Sequence, residues 1–349
     1  MPVNTQNKKT LTIAIPSFNS QETLEACLSS FIAYVEDSRL QVIVVDDGSS
    51  DATADIARIY CDKYPEIFCL VQKSNGGHGS AINVALSLAT GKYFKVVDSD
   101  DAVDSKNLIT LLDFLEHSDI DAVINSFLTI DCKTQKRTFF CVNCKLCNKN
   151  ITLNELLSVY DQIGACCAIH GLTYKTTLLL DINLKLTEGV FYEDNEFVIL
   201  PFLQVKTIML LPFVIYHYTV GQTGQSIAVH NQVERIHHKE KVIYRLFNEI
   251  RISPNINFAQ REYIRRRMLA LLAGYLVTAF LMDKNKSKGT QDASRLKGYL
   301  IEYEPDIWKA LSKKFYLLRL LGAIYFPVWL YQLMVNQLFL RKLFRKFLK

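Results

Sequence analysis

The sequence predicts an α/β protein: a mostly parallel sheet with flanking helices, continued by a helical C-terminal region. Three observations carry the prediction. Between Lys9 and about Ser226, short β-rich runs alternate with amphipathic helical stretches. The unusual polar residues gather at the ends of those runs, where parallel α/β sheets keep their ligand sites. After Ser226 the pattern changes to long helical segments.

Residues 11–15, 41–45, 67–71 and 93–97 are apolar, β-rich and closed by turn residues, so each reads as a strand. Residues 21–35, 52–63 and 80–89 lie between them with helical periodicity, and 105–116 continues the series. Beyond Ser226, residues 230–249 and 259–282 are periodic and split by a Ser253-Pro254 turn. Residues 268–282 carry no charge, yet at 15 residues they fall short of the roughly 20 needed to span a bilayer; they read as a buried core helix. Residues 283–292 read as a polar linker. The expected organisation is an α/β domain over 1–226, in two parts at about 1–101 and about 102–226. A helical region over 227–349 follows, with a membrane-associating tail at 309–349.

Composition bounds the function. The chain is 49% hydrophobic and 21% charged, which describes a folded protein large enough to need no disulfide or metal staple. Its first ten residues are polar, so no secretory signal is expected, and the nine cysteines read as reduced thiols. Net charge is +5, but residues 309–349 hold nine Lys/Arg and no acid, leaving 31 basic against 35 acidic residues elsewhere. That asymmetry points to an anionic surface as partner.

Asp98-Ser99-Asp100-Asp101 follows a strand directly, and clustered carboxylates are stable mainly when a cation or strong donors neutralise them. A helix N-terminus would explain the same acids equally well. Asp46-Asp47-Gly48-Ser49-Ser50-Asp51 is a second acidic strand end, open to a capping or a ligand-binding reading. Asn75-Gly76-Gly77-His78-Gly79-Ser80 is a glycine-rich turn that opens a helix and lets backbone N–H groups approach a ligand.

Taken in order, Pro16-Ser17-Phe18-Asn19, Asp46-Asp47-Gly48-Ser49, Asn75-Gly76-Gly77 with Asn83, and Asp98-Ser99-Asp100-Asp101 resemble the motifs of the family 2 glycosyltransferases with the GT-A fold, of the bacterial cell-surface polysaccharide type. The resemblance runs from Thr10 to about Ser226 and takes in Glu193-Asp194 and His217; it implies that 1–226 is a catalytic domain, with a nucleotide-sugar half at about 1–101 and an acceptor half at about 102–226. It implies that Pro16, Phe18 and Asn19 hold the nucleotide base, with the Phe18 ring packed on it. Asp47 would accept from the uracil N3–H, and Asn75 and Gly76 would line the nucleotide side. Asp98 would lie near the ribose and Asp100 on a divalent cation, Mn2+ or Mg2+, with His217 as a further metal ligand. Asp194 would be the catalytic base, supported by Glu193. His170 faces either the acceptor or the core. Many relatives carry Ala-Arg-Asn where this chain has Ala81-Ile82-Asn83, so Lys73 or His78 is expected to replace the missing guanidinium.

Two features lie outside that resemblance. Cys141, Cys144 and Cys147 have Cys-x-x-Cys spacing, but no second pair follows at ordinary zinc spacing, so they read as incidental thiols. Residues 320–340 are uncharged, and Arg341 to Lys349 place Leu340, Leu343, Phe344, Phe347 and Leu348 on one helical face opposite five cations. In-plane or re-entrant association with an anionic membrane is expected, with a true span as the alternative. Aromatics on the apolar face rather than among the cations argue against nucleic acid.

The resemblance therefore implies an inverting, metal-dependent enzyme. It would move one sugar from a UDP-sugar to a lipid-linked glycan at the cytoplasmic membrane face. No Gln-x-x-Arg-Trp element follows the domain, which favours single addition over polymerisation. The competing readings are an inactive membrane-bound scaffold of the same fold and a nucleotidyltransferase. Against the second, Ile15-Pro16-Ser17-Phe18-Asn19 stands where a basic phosphate loop would be needed.

Overall fold

The computed structural model describes residues 9–32, 37–221, 229–253 and 255–336. The chain forms two compact units, Met1–Thr223 with Asn248–Tyr263, and Gly224–Phe247 with Ile264–Lys349. A single break at 226 is thus too simple, because residues 248–263 return to the first unit. There Tyr263 stacks on Phe202 with ring centroids 4.0 Å apart, and the Gln260 amide donates to Leu203 O at 2.7 Å.

The first unit is built on one sheet. Its strands are β1 (Leu11–Ser17), β2 (Leu40–Asp46), β3 (Phe68–Gln72), β4 (Tyr93–Val96), β5 (Ala102–Val103), β6 (Ala122–Asp131), β7 (Arg137–Phe140), β8 (Asn150–Ile151), β9 (Leu172–Lys175) and β10 (Ile208–Val220). The order is β3-β2-β1-β4-β9-β6-β10-β5, with β7 on β6 and β8 on β10. β3, β2, β1 and β4 are parallel, as are β6 and β10, while β9 runs antiparallel between β4 and β6.

Helices α1 (Leu24–Ile32), α2 (Thr53–Lys63), α3 (His78–Ser87) and α4 (Ser105–Glu116) follow the first strands, and α5 (Leu153–Ile163), α6 (Thr176–Asp181) and α7 (Asp194–Ile199) complete the unit. Leu11, Ile13 and Ile15 of β1 alternate onto one face, where they join Leu24, Leu28 and Phe31 of α1 and Leu108, Leu111 and Leu115 of α4 in the core. All seven residues of β1 are buried, as in a parallel strand covered on both faces. The parallel register pairs Ser17 with Asp46 and Asp46 with Gln72, so the strand ends that carry the polar motifs lie side by side.

The second unit is helical. Its elements are α8 (Val229–Glu234), α9 (Ile236–Ile252), α10 (Phe258–Val277), a π turn (Thr278–Met282), α11 (Lys286–Tyr303), α12 (Pro305–Ala323) and α13 (Val328–Asn336), with α9 and α10 divided between the units. The expected linker at 283–292 is a correction: α11 begins inside it, capped by the Asn285 side chain accepting from Lys288 N. Gly289, Ala293, Leu296 and Leu300 bury one face of that helix, and a Cβ on Gly289 would strike the Ala279 carbonyl oxygen. Small residues, rather than a strong apolar stripe, make that packing, so polar composition hid the helix.

The uncharged run 320–340 does not form one helix. α12 ends at Ala323, Tyr325 takes a positive φ of 54°, and α13 begins only at Val328. Among the described residues no helix is long and apolar enough to cross a membrane. The basic, amphipathic stretch from Leu340 to Lys349 lies outside the described residues.

Candidate active site

The ends of β1 and β2 are knitted to each other. Asn19, with φ 49°, donates its N–H to Ser49 Oγ at 2.9 Å and accepts from Ser50 N through Oδ1 at 2.9 Å. Asp46 Oδ1 accepts from Ser49 N at 3.0 Å, which closes the turn. Gly48 has φ +78°, and a Cβ there would come within 2.9 Å of Asn75 N, so the second strand end can sit against the third only with glycine. Pro16 is buried within β1, whereas Phe18, at 51% exposure, and Asn75 stand exposed beside this seam.

Asp47 departs from its expected position. Its carboxylate is buried and accepts from Lys73 Nζ at 2.6 Å, Gly76 N at 3.0 Å and Gly77 N at 2.7 Å. The side chain is therefore turned into the glycine-rich turn, because three adjacent donors there satisfy a buried charge. Lys73, one of the two residues expected to replace the missing arginine, is paired with Asp47. Ile82 itself is buried in α3.

β4 leads into the acidic strand end. Asp101 N donates to Asp98 O at 3.0 Å, forming a turn that brings the Asp101 side chain back beside Asp98. Asp98, Asp101 and His170 each offer a ligand atom, all within 4.8 Å of one another. Tyr216 links the two acids, its hydroxyl donating to Asp101 Oδ2 at 2.5 Å and accepting from Asp98 N at 3.1 Å. Burial and the charges of Asp98 and Asp100 push Asp101 well above the usual carboxylate range. Burial opposes the charge of Asp98 too, but the hydrogen bond from His78 prevails and holds it below that range. His170 is pushed down to about 4, chiefly by burial, so its imidazole is neutral, and its Nδ1 is buried without a partner.

A divalent cation fits this donor set. A neutral imidazole with an unpartnered nitrogen and a buried acid that resists ionisation are both relieved by a positive ion. The group differs from the expected Asp100 and His217. Asp100 occupies the middle of the turn and is not one of the three clustered ligands. His217 lies 4.0 Å from Asp104 Oδ2 instead. Strand alternation explains it: Tyr216 and Tyr218 both pack on the His170 ring, at 4.9 and 4.4 Å, so His217 between them faces the other way. The flanking tyrosines were the readable signal, and period two already assigns them to the site.

Lys95 of β4 supports the cluster from below. It is fully buried and donates to His170 O at 2.8 Å and Leu172 O at 3.2 Å. Burial pushes it down to about 7. Unfolded lysine titrates near 10.4, so above pH 7 the unfolded chain holds a proton that the native chain has released. Stability linked to Lys95 should therefore rise with pH from about 7 to about 10, by at most about 1.4 kcal/mol per unit. Urea unfolding in excess EDTA at several pH values should show that slope for the wild type and its loss in Lys95→Met.

The acceptor side arrives through the loop before α7. Glu193 is buried with Oε1 2.7 Å from His78 Nδ1, while His78 Nε2 lies 2.9 Å from Asp98 Oδ1. Burial alone would discharge His78, but its hydrogen bonds to Asp98 and Glu193 raise it well above the usual imidazole range. Asp194 opens α7 and accepts from the Asn195 side chain at 3.1 Å. Burial, and after it the charges of Asp101, Asp98, Asp100 and Asp194, raise the Tyr218 phenol.

The glycosyl transferase family 2 model matches residues 12–171, the span holding all four strand-end motifs. Residues 12–171 thus form a family 2 glycosyltransferase domain. Among the relatives of this chain, a cholesterol galactosyltransferase of Borreliella burgdorferi is 28% identical, over 97% of this chain and 98% of its own length. A poly(ribitol-phosphate) beta-glucosyltransferase of Bacillus spizizenii is 26% identical over 63% of this chain, which spans about a third of that longer protein, at 33%. The crystal structure of Staphylococcus aureus TarS 1-349 in complex with UDP-GlcNAc superposes with a TM-score of 0.67, covering 90% of this chain and 89% of that one at 18% identity. That likeness shows the GT-A fold. The similarity expected to stop near Ser226 continues through the helical region in the Borreliella relative.

Proposed function

We propose that this enzyme transfers one sugar from a UDP-sugar to a saccharide on a lipid carrier, with inversion, during assembly of a bacterial cell-surface polysaccharide. The observation that carries the reading is that one side chain, His78, lies 2.9 Å from the strand-end Asp98 and 2.7 Å from Glu193, the residue before Asp194. Transfer needs a base on the acceptor side and a charge-handling group on the donor side, within one small site.

In this reading Phe18 packs on the base, with Pro16 and Asn19 shaping that end, while Asn75 and Gly76 line the nucleotide. Asp47 acts indirectly, holding the Gly76-Gly77 turn. Asp98, Asp101 and His170 would hold the divalent cation, with Asp100 beside them. When bound, Mn2+ or Mg2+ supplies positive charge that stabilises the departing diphosphate. Asp194 takes the proton from the acceptor hydroxyl as that oxygen forms its bond to the anomeric carbon and the bond to the diphosphate breaks. Attack from the face opposite the leaving group inverts the centre.

A lipid-borne acceptor is supported by the full-length similarity to a galactosyltransferase named for cholesterol, itself a lipid. The same observation favours a second reading, in which the accepting hydroxyl belongs to the lipid itself. We place the enzyme at the cytoplasmic membrane face through residues 309–349. In-plane attachment is favoured over a span, since α12 and α13 are separate and leave Tyr316, Leu320, Ile324, Tyr325 and Trp329 exposed. Attachment would raise the effective concentration of a membrane-bound acceptor.

Calorimetric titration of UDP, with GDP as control, in Mn2+ and then in excess EDTA tests the donor site. UDP binding that needs the metal is the expected result. GDP preference would change the donor class, and binding of neither nucleotide by the folded protein would overturn the reading in favour of a scaffold.

A further inference from the structure

The start of α3 does more than line a nucleotide. Gly76 O accepts from Gly189 N at 2.7 Å, Asn83 Nδ2 donates to Leu186 O at 2.9 Å, and Asn83 Oδ1 accepts from Leu186 N at 2.8 Å. A Cβ on Gly79 would lie 2.7 Å from Thr187 O and 2.8 Å from Glu193 Cγ, so the helix and the 186–193 loop are in close contact. This seam carries the loop that ends at the candidate base. His78 extends it to the donor side, with one ring nitrogen 2.7 Å from Glu193 and the other 2.9 Å from Asp98. The other Glu193 oxygen is buried without a hydrogen-bond partner, which leaves His78 as the contact that orients that side chain.

We propose that His78 is a positioning residue for transfer: by bridging Asp98 and Glu193 it fixes Asp194, the next residue, against the donor-side carboxylate. The proposal rests on the glycosyl-transfer reading above for its consequence, but the bridge itself is a property of the fold. Reacting groups displaced by about 1 Å lose about 100-fold in rate. Among the described residues no backbone hydrogen bond joins the Asp98 turn directly to the 186–193 loop, so loss of the bridge should be felt as misalignment rather than as lost nucleotide affinity.

The test compares His78→Ala, His78→Asn, His78→Gln, Glu193→Gln and the double variant His78→Ala/Glu193→Gln. UDP release from whichever of UDP-glucose, UDP-galactose or UDP-N-acetylglucosamine the wild type turns over is measured beside UDP affinity in Mn2+. His78→Ala should lose about 100-fold in kcat with UDP affinity within about threefold. Asparagine can replace only the Nδ1 contact and glutamine only the Nε2 contact, so neither should restore the rate. The double variant should be no slower than the slower single variant, because both remove one bridge. Unchanged kcat, a parallel loss of UDP affinity, or losses that multiply in the double variant would overturn the proposal. If the wild type turns over no nucleotide sugar, the transferase reading fails by itself. The bridge is then judged by amide hydrogen exchange over residues 186–197, expected to be about tenfold faster in His78→Ala. Unchanged exchange there would overturn the bridge.

Discussion

Asp194→Asn should lower turnover by about 1,000-fold while UDP affinity in Mn2+ stays within about twofold. The amide keeps the shape of the side chain and its place at the start of α7, but it cannot take the acceptor proton. Asp194 sits on the acceptor-side loop, whereas the expected nucleotide contacts come from the ends of β1 to β4. A loss confined to kcat is therefore the signature of a base. Steady-state UDP release and calorimetric titration on the same preparation check it. Turnover within about tenfold of wild type would move the base to another residue.

Asp98→Ala should have the next largest effect, and of a different kind. It removes a member of the Asp98, Asp101 and His170 group and also one of the two carboxylates that face His78. Metal-dependent UDP binding and turnover should fall together, each by about 100-fold or more. Removing one partner from a largely buried charged pair also leaves the other uncompensated, so the melting temperature should drop. Comparison with Asp100→Asn and Asp101→Asn separates the two assignments of the cation. If Asp101→Asn abolishes metal-dependent UDP binding, the turn that folds Asp101 onto Asp98 selects the ligand. If Asp100→Asn does so instead, the middle of the turn must reach the metal.

Much of the fold could be read directly. The four leading strands lie within a residue or two of their expected positions, and α4 matches 105–116. Alternating apolar residues in a strand and 3.6-residue periodicity in a helix are local properties, written in neighbouring residues. The failures were local patterns with a second explanation. Residues 283–292 are polar, yet α11 begins among them because Gly289 and Ala293 pack closely enough to need little apolar surface. The uncharged run 320–340 had the length of a span, yet a residue with positive φ and Pro327 separate α12 from α13.

What the sequence determined by itself was the order of strands and helices, the strand-end placement of Asp46, Asp47, Asp98 and Asp101, and the family those motifs belong to. Tertiary structure alone decided the partners. It gave Asp47 to Lys73 and the Gly76-Gly77 turn, turned His217 away from the site while bringing in His170, and set His78 between Asp98 and Glu193. The physical reason is range. Backbone propensity and burial pattern act over a few residues, but a side chain's charge state and hydrogen bonds depend on groups a hundred residues distant that only the folded sheet brings within 3 Å.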